Sequence, residues 1–179
     1  MAERGLILVN TGEGKGKTTA ALGLALRAVG DGLRVLILQF IKSGGGYGEL
    51  KGIARLGESI EIRPMGNGFV YHRQEKSAEA MAAHKKAAAE AWAMLEREVQ
   101  SDVWDIIIMD EINYAMKFGL VSEEKVLSML KAKPERLHVV LTGRDAPESI
   151  IAIADTVTEM RMVKHAYQKG IKAMKGIEF

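Results

Sequence analysis

Residues 6–19 read LILVNTGEGKGKTT, and the fold follows from how this stretch divides. Leu6 to Asn10 is a short apolar run of the kind that forms a strand buried on both faces. Thr11 to Gly16 is a glycine-rich turn, and a helical pattern runs from Lys17 to Val29, ended by Gly30 and Gly32. Strand, glycine turn and helix in that order are the setting of a phosphate loop. Gly12, Gly14 and Gly16 let successive backbone N–H groups turn inward as a nest for phosphate oxygens. The helix N-terminus adds about half a positive charge at the same place. Lys17 supplies a full charge, and the Thr18 hydroxyl is placed to bind Mg2+. The expected ATP-binding segment is Gly12, Glu13, Gly14, Lys15, Gly16, Lys17, Thr18 and Thr19. The plainer alternative is a glycine turn that caps a helix and holds no ligand. One departure bears on the pose of any nucleotide. The common pattern G-x-x-x-x-G-K-[ST] has glycine where this chain has Thr11, so a differently shaped cradle is expected.

Outward from the loop, short apolar runs alternate with helical patterns. A second strand is expected from Arg34 to Phe40, then a glycine-rich loop from Ser43 to Gly48 and a short helical stretch to Gly57. Ile60 to Arg63 reads as a short strand stopped by Pro64. The longest helical pattern is Glu75 to Gln100, where Ala88, Trp92, Leu95 and Val99 recur at three- and four-residue spacing as one buried stripe. That places Trp92 in a core and not in a site, whether the helix packs within the chain or against a second subunit. Strands are expected at Asp105 to Asp110, at His138 to Thr142 and near Val157 to Met162. Ser122 starts a helix with Glu123 and Glu124 in its first turn, and Pro147 opens another that reaches about Ala154. A basic tail follows. The alternation predicts an α/β fold with a mainly parallel sheet flanked by helices. No internal repeat or linker divides the chain, so one domain over residues 1–179 is expected.

Composition narrows the function. The chain has 179 residues, 47% hydrophobic and 27% charged, which excludes a disordered protein. Its net charge of +2 is too mild to point to nucleic acid or an anionic membrane. The absence of cysteine rules out disulfides, zinc knuckles and iron–sulfur clusters. No apolar run approaches the ~20 residues that a bilayer requires, and the N-terminus lacks the pattern of a secretory signal. A cytoplasmic protein is expected.

The second chemical element is Asp105-Ile106-Ile107-Ile108-Met109-Asp110-Glu111. Carboxylates at the carboxyl end of a buried strand lie at the ligand-binding edge of an open α/β sheet. There Asp110 and Glu111 can hold Mg2+ or orient a reactant, although the same pair could simply end the strand and cap the next helix. Arg144, Arg161, Lys164 and His165 fall at or after strand ends and are candidates for neutralising phosphate charge, against the alternative of solvated surface. Three chemistries fit a nucleotide site of this kind: hydrolysis that drives motion, phosphoryl transfer, and displacement at the ribose 5′-carbon with triphosphate leaving.

The stretches TGEGKGKTTAALGLALRA, VLILQFIK, MDEINYAMKFGLVSEEKVL, HVVLTGRDAPESII and ADTVTEMRMVKHAYQKGIKAMKGIEF resemble the ATP:corrinoid adenosyltransferases of cobalamin biosynthesis and salvage. The resemblance runs from the first strand to the last residue. It implies a RecA-like P-loop fold, a homodimer, and MgATP (or MnATP) bound in an orientation reversed from that of ordinary P-loop enzymes. The implied reaction is attack of corrinoid cobalt(I) on the 5′-carbon of ATP, with adenosyl transferred and triphosphate released. The corrinoid would be cobalamin, cobinamide or cobyrinic acid diamide, reduced by an electron-donating reductase or flavodoxin. On that reading the glycine loop with Lys15, Lys17 and Thr18 binds the triphosphate, and Thr18 with Glu111 and Asp110 holds the metal. No side chain need act as nucleophile, since cobalt(I) is one.

The same family carries a Gly-Phe-Thr-Trp element whose aromatic side chains displace the lower axial ligand of cobalt. Here the sequence is Gly68-Phe69-Val70-Tyr71, so the resemblance implies corrinoid contacts for Phe69 and Tyr71, with tyrosine in place of tryptophan. Other departures are Glu13 where Asn or Asp is common, Ala166 and Tyr167 for Pro and Phe, and Met174 for Gln. Some members enclose the corrinoid with an added N-terminal segment, whereas this sequence enters its first strand almost at once. The competing reading is a RecA-like ATPase that couples hydrolysis to a conformational change in a partner.

Overall fold

A computed structural model describes residues 4–68 and 78–178. Six strands form one parallel sheet in the order β3-β2-β4-β5-β1-β6. In chain order these are β1 (Ile7–Thr11), β2 (Val35–Gln39), β3 (Ile60–Pro64), β4 (Ile106–Asp110), β5 (His138–Thr142) and β6 (Thr156–Glu159). The helices are α1 (Lys17–Gly30), α2 (Gly48–Ile53), α3 (Ala78–Gln100), α4 (Ile112–Lys117), α5 (Glu123–Ala132) and α6 (Glu148–Ile153). The strand that feeds the glycine loop and the strand that ends in the acidic pair are separated by β5, as in RecA-like P-loop folds.

Alternation along the central strands builds two cores. Val35, Ile37, Ile106 and Ile108 face α1 through Ala21, Ala25 and Ala28. Leu36, Leu38, Ile107 and Met109 face the opposite way, into a larger cluster with Leu95, Ile112, Leu130 and Ile150. All five residues of β2 and of β4 are buried, which explains why their sequences are continuous apolar runs without polar alternation. The small alanine face of α1 lets that helix lie close on the sheet.

Most expected boundaries agree to within one or two residues. The expected stripe on α3 is buried within the chain, Trp92 included. Ser122 caps α5 by accepting a hydrogen bond from the Lys125 N–H. Three elements differ. Helix α2 ends at Ile53, short of the expected Gly57. Helix α4 begins directly after the acidic pair, where a helix start was only an alternative and no range was expected; its six residues are too few to show a periodic stripe. Strand β6 ends at Glu159, earlier than the expected Met162, because pairing with β1 ends at Thr11, where the glycine loop begins. Beyond it the chain crosses the glycine loop, makes a short 3-10 turn at Ala166–Lys169 and continues as an exposed arm. Among the described residues no helix is long and apolar enough to cross a membrane.

Candidate active site

The glycine loop and the acidic pair meet at the carboxyl edge of the sheet. Gly16 takes φ 115° immediately before α1, a left-handed conformation that suits glycine, and so aims the first turn of the helix into the opening. The Lys17 ammonium curls back and donates to the carbonyls of Gly12 and Gly14, both at 2.7 Å. Burial lowers its pKa, an effect that the nearby Glu111 carboxylate opposes.

Asp110 is the hub of the opposite wall. It is buried, and its Oδ1 accepts from Thr18 Oγ1 at 2.8 Å and from Thr142 Oγ1 at 2.7 Å. Its Oδ2 accepts from Gln39 Nε2 at 3.0 Å. Thr142 in turn accepts from the Glu111 N–H at 2.9 Å. Three strand ends and the first turn of α1 are thereby tied to one carboxylate or its neighbours. Glu111 adopts φ 62°, a conformation that costs about 1 kcal/mol or more in a non-glycine residue and is characteristic of functional turns. Burial raises the pKa of its carboxyl, and the adjacent Asp110 adds to the effect.

A cavity of about 920 Å3 opens over these groups. Glu13 through Thr19, Glu111, Arg144 and His165 all line it, so the structure brings together most of the expected site. Gly12 and Asp110 stand just behind, Gly12 under Lys17 and Asp110 under Thr18. Arg144 lies 3.4 Å from Glu13, both side chains being largely exposed. Arg161 and Lys164 are exposed on the arm and do not line the cavity. Phe69 and Tyr71 fall outside the described residues. A second hollow of about 510 Å3, between α3 and α5, includes the C-terminal residues of α3 and lies away from the glycine loop.

Two features of the loop were not legible in its sequence. Thr11, in the place where glycine is usual, closes β1 and accepts from the Ala146 N–H at 3.2 Å, so its side chain holds a neighbouring loop and leaves the cradle clear. The N–H of Gly14 does not point freely inward as a nest requires; it donates to the Met160 carbonyl at 2.6 Å. A Cβ on Gly12 or Gly14 would meet that carbonyl oxygen at 2.6 Å, so these glycines also admit the crossing arm. Lining residues missed from sequence include Lys42, Glu49, Tyr114 and Gly176–Glu178. A lysine just past the end of β2 was the available signal for the first, and the quoted Gly-Ile-Glu-Phe ending for the last.

The residues present suit a hard divalent cation. Thr18, Asp110 and Glu111 offer only oxygen donors, and the buried Oε1 of Gln39 beside Asp110 has no hydrogen-bond partner. Among the described residues no cluster of three or more His, Cys, Asp or Glu side chains forms a closed cage. Mg2+ is commonly held by one or two carboxylates, with phosphates and water completing the shell.

Sheet order, loop and acidic strand end define a P-loop protein of the RecA-like α/β class. Comparison with known proteins narrows this further. Residues 3–179 match the family described as ATP:corrinoid adenosyltransferase BtuR/CobO/CobP, and the chain belongs to that family. It is 41% identical over 177 residues to the corrinoid adenosyltransferase of Pseudomonas aeruginosa, covering 99% of this chain and 85% of that protein. Identity to the corrinoid adenosyltransferase CobA of Salmonella typhimurium is 39%, over 99% and 87% of the two chains. Among solved structures, the flagellar accessory protein FlaH of Methanocaldococcus jannaschii superposes with a TM-score of 0.57 over 87% of this chain and 71% of that one. At 14% identity that likeness speaks to the fold alone. The enzyme's activity is ATP-dependent transfer of an adenosyl group to a corrinoid.

Proposed function

We propose that the reaction is displacement at the ribose 5′-carbon of MgATP by the cobalt(I) of a corrinoid, with inorganic triphosphate as leaving group. The observation that carries this reading is the state of Lys17, a desolvated ammonium that donates to two backbone carbonyls at the mouth of the loop. Such a cation is primed to exchange two neutral acceptors for a polyphosphate. Lys15, Lys17 and the α1 N-terminus neutralise the charge that builds on the leaving triphosphate, and Arg144 and His165 lie on the same cavity. Thr18 with Glu111, backed by Asp110, would hold Mg2+, which supplies further charge neutralisation when bound.

No general base is required, because the nucleophile carries no proton. The protein's work is alignment and exclusion of water. The single unit over residues 1–179 acts as a homodimer in the cytoplasm on a corrinoid reduced by a separate electron donor. Phe69 and Tyr71 contact the corrinoid in this reading. Changing Phe69 to Ala is then expected to spare ATP binding and to slow adenosylation sharply; unchanged turnover would remove it from the site.

The test is the phosphate product. Incubation with MgATP and chemically reduced cobalamin is expected to give triphosphate and a light-sensitive adenosylcorrinoid in equal amounts. Steady release of single phosphate without corrinoid would instead mark a RecA-like ATPase.

A further inference from the structure

Across the cavity from the glycine loop lies a partly buried ion pair that the reaction described above does not use. Lys42 Nζ is 2.6 Å from Glu49 Oε1, and the two side chains are only 17% and 13% exposed. The Lys42 ammonium also sits 5.2 Å from the centre of the Tyr47 ring. Both charged residues line the same cavity as Lys17 and Glu111. Lys42 follows β2 and Glu49 is in the first turn of α2, so the pair stands beyond the carboxyl end of β2. It is joined to the metal-side wall through Gln39, which donates to Asp110. Burial opposes ionisation of Glu49, but hydrogen bonds from Lys42, its own backbone N–H and Gln39 outweigh it and hold the carboxyl below its ordinary range. A carboxylate stays charged there.

The sheet order sets the distance. Between β1, which feeds the loop, and β2 lie three inter-strand steps of ~4.8 Å, or ~14 Å in all. A nucleotide whose polyphosphate fills the loop and whose sugar points over β4 therefore brings its ribose toward the end of β2. A nucleotide laid the ordinary way leads its sugar away from there. The ribose offers a 2′,3′-diol, and a carboxylate beside an ammonium supplies both an acceptor and a donor for it. An acidic side chain on ribose hydroxyls is the device dinucleotide-binding folds use.

We propose that Glu49, held in place by Lys42, binds the ribose hydroxyls of the nucleotide and sets its preference for ribonucleotides. The proposal rests on the reversed nucleotide orientation of the preceding reading. A pair that merely pinned the glycine loop of residues 43–48 to the sheet would alter stability and leave sugar preference alone.

The experiment measures binding to the free enzyme, without corrinoid, of ATP, 2′-deoxyATP, 3′-deoxyATP and inorganic tripolyphosphate. The wild type is expected to favour ATP over at least one deoxynucleotide by about tenfold, the size of one hydrogen bond to a charged group. Glu49→Gln should bring that ratio within about twofold, and Glu49→Asp should restore part of it. Tripolyphosphate affinity should stay constant throughout, which also reports that the variants are folded. Equal binding of all three nucleotides by the wild type overturns the proposal without recourse to a variant. So does a Glu49→Gln enzyme that keeps the wild-type ratio, or one that loses tripolyphosphate affinity in step with ATP. Adenosylcobalamin formation, followed in the same samples, separates the two readings. Product formed with the ratio unmoved sinks the ribose assignment alone, and no product with the ratio moved sinks the reaction alone.

Discussion

The two walls that enclose the loop are built on opposite principles. On the sheet side, Asp110 is fully enclosed and accepts three hydrogen bonds, so Thr18, Thr142 and Gln39 are fixed before any ligand arrives. On the other side, the C-terminal arm is exposed along most of its length, with Val163 at 81% and Tyr167 at 78% accessibility. It touches the loop through the Met160 carbonyl, and through Lys15, which donates to Ile177 O at 2.7 Å and to Glu178 at 3.0 Å. The difference separates two tasks. A leaving group whose charge must be met without delay calls for a wall that does not reorganise. A bulky planar partner that must enter and leave calls for one that yields.

The strongest way to break this contrast is at Lys17. Replacing it with Met should lower the rate of adenosylcorrinoid formation by about 10²–10³-fold, the usual loss when one preorganised charge donor is removed. Because burial already disfavours its charge, the thermal midpoint should move by no more than ~2 °C. A large activity loss accompanied by unfolding would instead make Lys17 structural. Next comes Asp110→Asn, which turns one acceptor oxygen of a fully buried hub into a donor. An expected cost of ~1–3 kcal/mol follows from leaving Thr18, Thr142 or Gln39 without an acceptor, together with roughly tenfold weaker Mg2+ dependence. Chemical denaturation and a metal titration check the two halves separately. If stability held and only the metal response changed, the wall would be less rigid than its hydrogen bonds imply.

The same contrast explains what the sequence disclosed. The rigid wall was legible because its parts are local: a strand, a glycine turn and a helix are contiguous, and β4 carries its acidic pair at its own end. Continuous apolar runs in β2 and β4 announced a parallel sheet covered on both sides, and the two cores bear that out. Other features depend on long-range contacts that no window of residues contains. Met160 closing on Gly14 joins residues far apart in the chain, so the loop's glycines read only as a phosphate nest. The range of helix α4 was missed because six residues following a left-handed Glu111 give no period to detect. Lys42 and Glu49 pair across a glycine-rich loop whose course sequence does not specify.

Glu111 gives a smaller, pH-dependent test. Its carboxyl has a raised pKa, first from burial and then from Asp110, so the folded protein holds the proton more tightly than the unfolded chain does. Its favourable contribution is therefore present below the unfolded value near 4.5 and is lost as pH rises through the folded value. In the absence of nucleotide and metal, Glu111→Gln should raise the thermal midpoint at neutral pH. The gain should vanish below about pH 4.5. A variant that is equally stabilised at both pH values would remove the charge argument.

The smallest expected effect lies on the yielding wall. The Glu178 carboxyl is held below its ordinary pKa by the Met174 N–H and then by Lys15, so it remains ionised throughout the working range. It thus occupies Lys15 with a negative charge where triphosphate must bind, and the two anions compete for one ammonium. Glu178→Gln should free Lys15 and tighten ATP and tripolyphosphate binding by about two- to threefold at low ionic strength, within the range of an exposed pair. The gain should fade as salt is raised, since screening weakens both contacts. Tighter product binding would then slow triphosphate release, so a gain in affinity should come with no gain in turnover. Weaker nucleotide binding in the variant would show the arm supporting the ligand, and the two walls would no longer differ in kind.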